Sequence, residues 1–159
     1  MSELRPSARR FQQILAEKGY PHQVMELPEL THTAVAAAEA VGCDVGQIVK
    51  SLIFKTRKTD RPVLVLVSGR NRVDTKKVRA LLGEKIGKAD ADFVRAHTGF
   101  AIGGVPPVGH VSRMETFVDE DLLQYESLWA AAGTPYAMFR LTPADLLEMT
   151  GGTVTDVKA

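Results

Sequence analysis

A single α/β domain built on a mixed sheet is the fold class this sequence predicts, and three observations carry that prediction. Two β-prone runs, Ile48–Thr56 and residues 63–67, are separated only by the short polar segment 57–62, which reads as a hairpin. Segments with helical caps and stops alternate with such runs along the chain. The length, 159 residues, is that of one domain, and no linker, repeat or low-complexity tract divides it.

The elements follow in order. Residues 7–18 predict a helix with Ala8, Phe11, Ile14 and Leu15 on one face, Ser7 as cap and Gly19 as stop. Residues 23–27 predict a short strand. Thr33 can cap a helix over Ala34–Val41, stopped by Gly42. That helix is rich in alanine and therefore thin, so a ligand can approach its backbone. Residues 63–67 are continuously apolar and predict a central strand covered on both faces. Asp74 or Thr75 starts a helix through Leu82, with Val78, Leu81 and Leu82 inward. Asp90 or Asp92 starts another that ends near His97. Residues 99–109 are rich in glycine and proline and predict a fixed loop. Residues 115–118, 127–130 and 136–141 are shorter strand candidates. Thr142, Pro143 and Asp145 mark the start of a last helix by a capping box, with Leu141 and Leu146 as its hydrophobic staple and Gly151 as its end.

Composition narrows the function classes. With 45% hydrophobic and 25% charged residues the chain fits a soluble globular protein. No apolar run approaches the ~18 residues of a membrane span, and the charged N-terminus lacks the apolar stretch of a secretory signal. One cysteine, Cys43, allows neither an internal disulfide nor a multi-cysteine metal site, so a reducing cytoplasm is the expected location and no metal is expected. The net charge of +1 hides an asymmetry. Residues 50–95 carry thirteen Lys or Arg against five acids, a balance of +8 that leaves −7 for the rest. A polyanion should meet the middle third first; a solvated basic face with no partner is the alternative.

Three features could carry chemistry. Lys50 shares a strand face with Ile48, Leu52 and Phe54, where an ammonium is costly unless it finds water or an anion; snorkelling to solvent is the bland alternative. The loop Gly99 to His110 contains Gly103-Gly104-Val105-Pro106-Pro107-Val108-Gly109. Its amides could cradle an anion or an oxyanion, and its prolines would hold them in place. Thr31-His32-Thr33 sets hydroxyls and an imidazole at a helix start, where an anion could sit, although capping by Thr33 alone also explains it. No phosphate loop, zinc helix or serine nucleophile elbow is present. Nothing marks Cys43 as activated. From the residues alone, the reading stops at an α/β domain with the means to bind an anionic ligand.

Taken together in order, His32-Thr33-Ala34, Gln47-Ile48-Val49-Lys50-Ser51-Leu52 and Gly103 through Gly109 resemble the YbaK/ProX family, which includes the editing domain inserted in bacterial prolyl-tRNA synthetases. The resemblance runs from about residue 5 to about residue 157, so one editing domain would span residues 1–159. It implies a mixed, curved sheet flanked by helices and a free-standing deacylase that hydrolyses the ester of a small mischarged amino acid (Cys, Ala, Ser or Thr) on tRNA, with no cofactor. The tRNA acceptor end, that of tRNA(Pro), is the implied partner, with prolyl-tRNA synthetase as a further one. It also implies roles. Lys50, Gly103 and Gly104 would be catalytic. His32, Thr33, Val105, Pro106, Pro107, Gly109 and His110 would bind substrate. No side-chain nucleophile is required, which agrees with the missing nucleophile motif. The doubled proline departs from the Ser-Pro pair expected in some members, and leaves the choice of amino acid open. Two other readings stay open: a non-catalytic module that binds aminoacyl-tRNA or a synthetase, and a hydrolase of another small ester or adenylate.

Overall fold

The computed structural model of this chain describes residues 4–28 and 33–159. Within them, five helices pack on one eight-stranded mixed sheet. Helix α1 is Pro6–Glu17. It starts one residue before the expected 7–18 because Pro6, whose fixed φ suits a first helical position, begins it. Arg5 occupies the cap position without a side-chain bond, and Ser7, expected as the cap, lies inside the helix. Strand β1 is Val24–Glu26, and α2 is Ala34–Val41. As expected, Thr33 caps α2 by accepting the Ala36 N–H at 3.1 Å, and Gly42 closes it in the left-handed region.

A 3-10 turn, Val45–Gln47, leads into β2, Ile48–Thr56. The expected hairpin joins β2 to β3, Pro62–Ser68, with Lys50 opposite Val67. Helix α3, Thr75–Leu82, buries Val78, and Leu82 packs beside it one turn on. Leu81, expected inward, is 44% exposed. A helix of two turns seats a single i, i+4 pair on the sheet and leaves its neighbour to solvent. Strands β4 (Ile86–Lys88) and β8 (Thr153–Thr155) were not expected from the sequence, since three residues are too few for alternation to register. Helix α4 is Ala91–Thr98, β5 Glu115–Asp119, β6 Leu128–Ala131, β7 Ala137–Leu141 and α5 Pro143–Thr150. The capping box of Thr142 and Asp145 is formed.

The sheet order is β1-β7-β6-β2-β3-β5-β8, with β4 on β2. Strand β3 is central and covered on both faces: Val63, Val65 and Val67 on one and Leu64 and Leu66 on the other are at most 1% exposed. Phe11, Phe100, Phe139 and Leu146 fill the main core on the Leu64 face. Val78, Ile86, Phe117 and Val157 fill a smaller core against Val63 and Val65.

One irregularity positions the site. Strand β2 pairs with β3 along most of its length, but its other edge is divided. Parallel β6 takes Ile48 and Val49, and antiparallel β4 takes Phe54 through Thr56. Lys50 through Ile53 have a ladder partner on one side only. The Ile48 carbonyl accepts from Gly69 and the Thr56 N–H donates to Arg61, both on the β3 side. Peptide groups alternate along a strand, so Ser51 aims its own at the open side. The sheet has a slot in its middle.

Candidate active site

A cavity of about 450 Å³ fills that slot, a size suited to a small ligand or part of a larger one. Its floor is β2 from Ile48 to Phe54. Thr33, Ala34 and Ala37 of the alanine-rich helix form one wall, and Ile102, Gly103 and Val105 of the glycine–proline loop form another. The thin helix and the loop therefore face the same space, with Lys50 at the floor between them. Lys88, at the end of β4, stands at the border.

The loop is a partition with two different faces. Gly103, at φ 93, adopts a backbone conformation that favours glycine, and it lines the cavity with Val105. Gly104 does not line it. A Cβ there would fall 2.7–2.9 Å from the Thr134 backbone, so only glycine fits. The Gly104 N–H already donates to the Ala101 carbonyl at 3.0 Å, and the Gly104 carbonyl accepts the Gly133 N–H at 2.9 Å. Gly104 therefore locks the loop to the strand β6–β7 turn and leaves amide presentation to its neighbours. Pro106 is buried and is not among the residues that line the cavity. Pro107, Gly109 and His110 line a separate hollow on the far side, with Lys18 and Arg113. His110 Nε2 lies 2.7 Å from the Pro106 carbonyl. Since a carbonyl only accepts, that nitrogen carries the hydrogen, and the ring ties the loop's two prolines to its exit. Burial lowers the pKa of His110 and favours the neutral ring. His32, and Thr31 beside it, lie outside the described residues.

Lys50 is half-buried. Its ammonium donates to the main-chain carbonyl of Asn71 at 2.6 Å. Burial, and the nearby Arg72, hold its pKa below the usual lysine value, while Asp119 pulls the other way. Ser51 is a residue that sequence reasoning passed over. Its hydroxyl is buried, lines the cavity and has no hydrogen-bond partner; among the described residues only His22 Nδ1 shares that condition. An unpaired buried hydroxyl costs about 1–3 kcal/mol, a cost that a ligand's polar group could remove. No sequence signal separates it from any other strand serine.

The chemistry open to this cavity is limited. No His, Asp, Glu or Cys is among the described residues that line it. Cys43 lies elsewhere, and burial together with Asp44 pushes its thiol pKa up, away from the reactive thiolate. Ser51 and Lys50 leave opposite faces of β2, and the ammonium is held by Asn71, so they do not form a nucleophile–base pair. What remains is a cation, main-chain groups and an apolar box.

The chain belongs to the aminoacyl-tRNA editing domain family, whose model matches residues 28–149. It is accordingly a hydrolase of the aminoacyl-tRNA ester. A solved structure reported as a candidate trans-editing enzyme for prolyl tRNA synthetase is 52% identical, covers 99% of both chains and superposes with a TM-score of 0.93. The uncharacterised protein YwhH of Bacillus subtilis is 32% identical over 127 residues, 80% of each chain. EbsC of Enterococcus faecalis, provisionally named a Cys-tRNA(Pro)/Cys-tRNA(Cys) deacylase, is 29% identical over 126 residues, 79% of this chain and 76% of its own. Among the described residues no helix is long and apolar enough to cross a membrane.

Proposed function

We propose that this protein removes a small, wrongly attached amino acid (Cys, Ala, Ser or Thr) from tRNA(Pro), acting in trans after prolyl-tRNA synthetase has released or handed over the product. The observation that carries this reading is the meeting of Lys50, Gly103 and the thin wall of α2 around one cavity of about 450 Å³. The amino acid enters the apolar box between Ala34, Ala37 and Val105. Ser51 supplies a polar contact on the floor. Lys50, kept as an ammonium with two donors free beyond its bond to Asn71, holds the ester or the terminal nucleotide. Main-chain amides around Gly103 receive the charge that develops when water attacks. A small box makes physical sense for editing. Differences of a methylene discriminate by only ~1–3 kcal/mol in a synthetic site, so a second, hydrolytic site that admits only the smaller residues is needed.

The relatives support the substrate class, since one is named for a prolyl-tRNA synthetase editing partner and another for Cys-tRNA deacylation. The test is a panel of tRNA(Pro) charged with Ala, Cys, Ser, Thr or Pro, together with Cys-tRNA(Cys). Release of one or more small residues, sparing Pro and lost by about 10²-fold or more in Lys50→Ala, is the expected result. Binding without turnover would replace this reading by a binding module. Hydrolysis of free amino-acid esters at the same rate as of charged tRNA would replace it by a small-ester hydrolase.

A further inference from the structure

The ammonium of Lys50 is held by a turn that the sheet alone does not fix. Asn71 lies just past the end of β3, where its N–H donates to the Ser68 carbonyl at 2.9 Å. Its side-chain amide is forked across two carboxylates, Asp119 Oδ2 and Asp121 Oδ2, each at 2.8 Å. Asp119 is fully buried. A buried carboxylate is costly unless its lone pairs are filled, and here they are: by Asn71, by the Ser68 N–H at 3.0 Å and by the Asp121 N–H at 2.9 Å. Asp121 in turn takes the Lys158 ammonium at 2.8 Å. The residues after Asn71 are stitched to the end of the chain, with Ala159 N–H on the Arg72 carbonyl and Asp74 N–H on the Val157 carbonyl. An apolar residue at Asp119 would leave the Ser68 and Asp121 N–H groups without their acceptor. Beyond satisfying them, the carboxylate fixes the direction of the peptide that faces Lys50.

We infer that Asn71 and Asp119 are positioning residues for Lys50: the buried carboxylate grips the Asn71 side chain so that the Asn71 carbonyl holds the ammonium at the cavity floor. The inference rests on the role given to Lys50 in the proposed deacylation. Two charged groups bear on the ammonium, Arg72 against its charge and Asp119 for it, so the same carboxylate that aims the Asn71 carbonyl also opposes the effect of burial and of Arg72. Asp121 and Lys158 offset each other outside this contact.

The test uses the full chain with labelled lysine side chains, and reads both the Lys50 NMR signal and single-turnover deacylation. Asn71→Ala is expected to slow the chemical step by about tenfold to hundredfold with KM little changed, and to shift the Lys50 signal and its titration midpoint. Asp119→Asn removes the charge and sets an amide NH2 where a carboxylate oxygen accepted an N–H; its Lys50 midpoint should move to lower pH. If burial makes either variant fail to fold, Lys158→Ala reads the outer end of the same chain of contacts, and a smaller shift of the Lys50 signal is expected there. A rate within about twofold of the parent and an unmoved Lys50 signal in Asn71→Ala would overturn the inference, as would a drop in melting temperature with neither quantity changed per folded molecule. Failure of the functional reading is separate: deacylation unaffected by Lys50→Ala would remove the role of Lys50, while the Lys50 signal in Asn71→Ala still decides whether the anchor exists.

Discussion

Strands β2 and β3 lie side by side, share a hairpin and are both rich in branched apolar residues, yet they do opposite work. Strand β3 is laddered on both edges, by β2 and by β5, and all five of its residues 63–67 are buried. Strand β2 loses one edge partner over Lys50–Ile53, and every residue from Lys50 through Lys55 keeps some exposure. The comparison shows where a sheet can afford a site: beside a fully satisfied strand, which supplies the stability that the open one gives up. Substitutions in the two strands should therefore separate stability from activity.

The largest separation is expected between Leu66→Ala and Lys50→Ala. Leu66 is fully buried in the main core, and a Leu-to-Ala change in such a place costs about 2–5 kcal/mol. Chemical denaturation should show that loss, with deacylation per folded molecule near the parent value. Lys50→Ala should do the reverse, with a melting temperature close to the parent and hydrolysis down by about 10²-fold or more. If Leu66→Ala lowers the rate per folded molecule as far as Lys50→Ala does, the two strands are not functionally distinct.

The same contrast explains what could be read in advance. Strand β3 is legible because burial on both faces writes a continuous apolar run, and the caps at Thr33, Asp74, Asp90 and Thr142 are legible because they satisfy local N–H groups with local side chains. The slot beside β2 is not legible. Which edge of a strand is paired, and how far, is decided by β4 and β6, one of them too short to show in the pattern. Lys50 could be singled out as a misplaced charge, but its partner Asn71 belongs to a turn whose direction depends on Asp119, 48 residues further on. The loop was recognisable as fixed, yet its glycines divide by role. Gly103 faces the cavity, whereas Gly104 packs on Thr134, a contact made only in the folded chain. His110 looks like a second site imidazole in the sequence, and in the structure it faces away and braces the prolines.

Ser51 sharpens the comparison at an intermediate scale. Its hydroxyl is buried and unpaired, so in the free protein Ser51→Ala should be neutral or stabilising by up to about 1–3 kcal/mol. If the hydroxyl meets the substrate, the same change should raise KM and alter the order in which Ala-, Ser-, Cys- and Thr-tRNA are preferred. Thermal melting and a substrate panel together decide it. Stabilisation with an unchanged order of preference would make Ser51 a tolerated defect of packing.

The smallest effect concerns the approach of RNA to the open edge. Of the thirteen cations of residues 50–95, four are paired within the fold: Lys55 with Asp60, Arg61 with Glu84, Arg70 with Asp44 and Lys77 with Asp156, the last two acids lying outside the segment. Arg57, Lys58, Lys85 and Lys88 are exposed and have no ion pair among the described residues. They cluster around β4, where the Arg57 N–H donates to the Lys85 carbonyl at 2.9 Å and Lys88 reaches the cavity border. A phosphate backbone lying along β4 would bring its end to the slot. Each phosphate contact contributes about −0.7 to −0.9 to the slope of log affinity against log salt, so Lys88→Ala should lower the slope by roughly one contact and weaken binding a few-fold at low salt. Arg113→Ala, which removes a cation beside the hollow behind the loop, should leave the slope alone. Equal slopes for the two variants would mean that RNA reaches the cavity from a side other than β4, and that the open edge of β2 is entered over the loop.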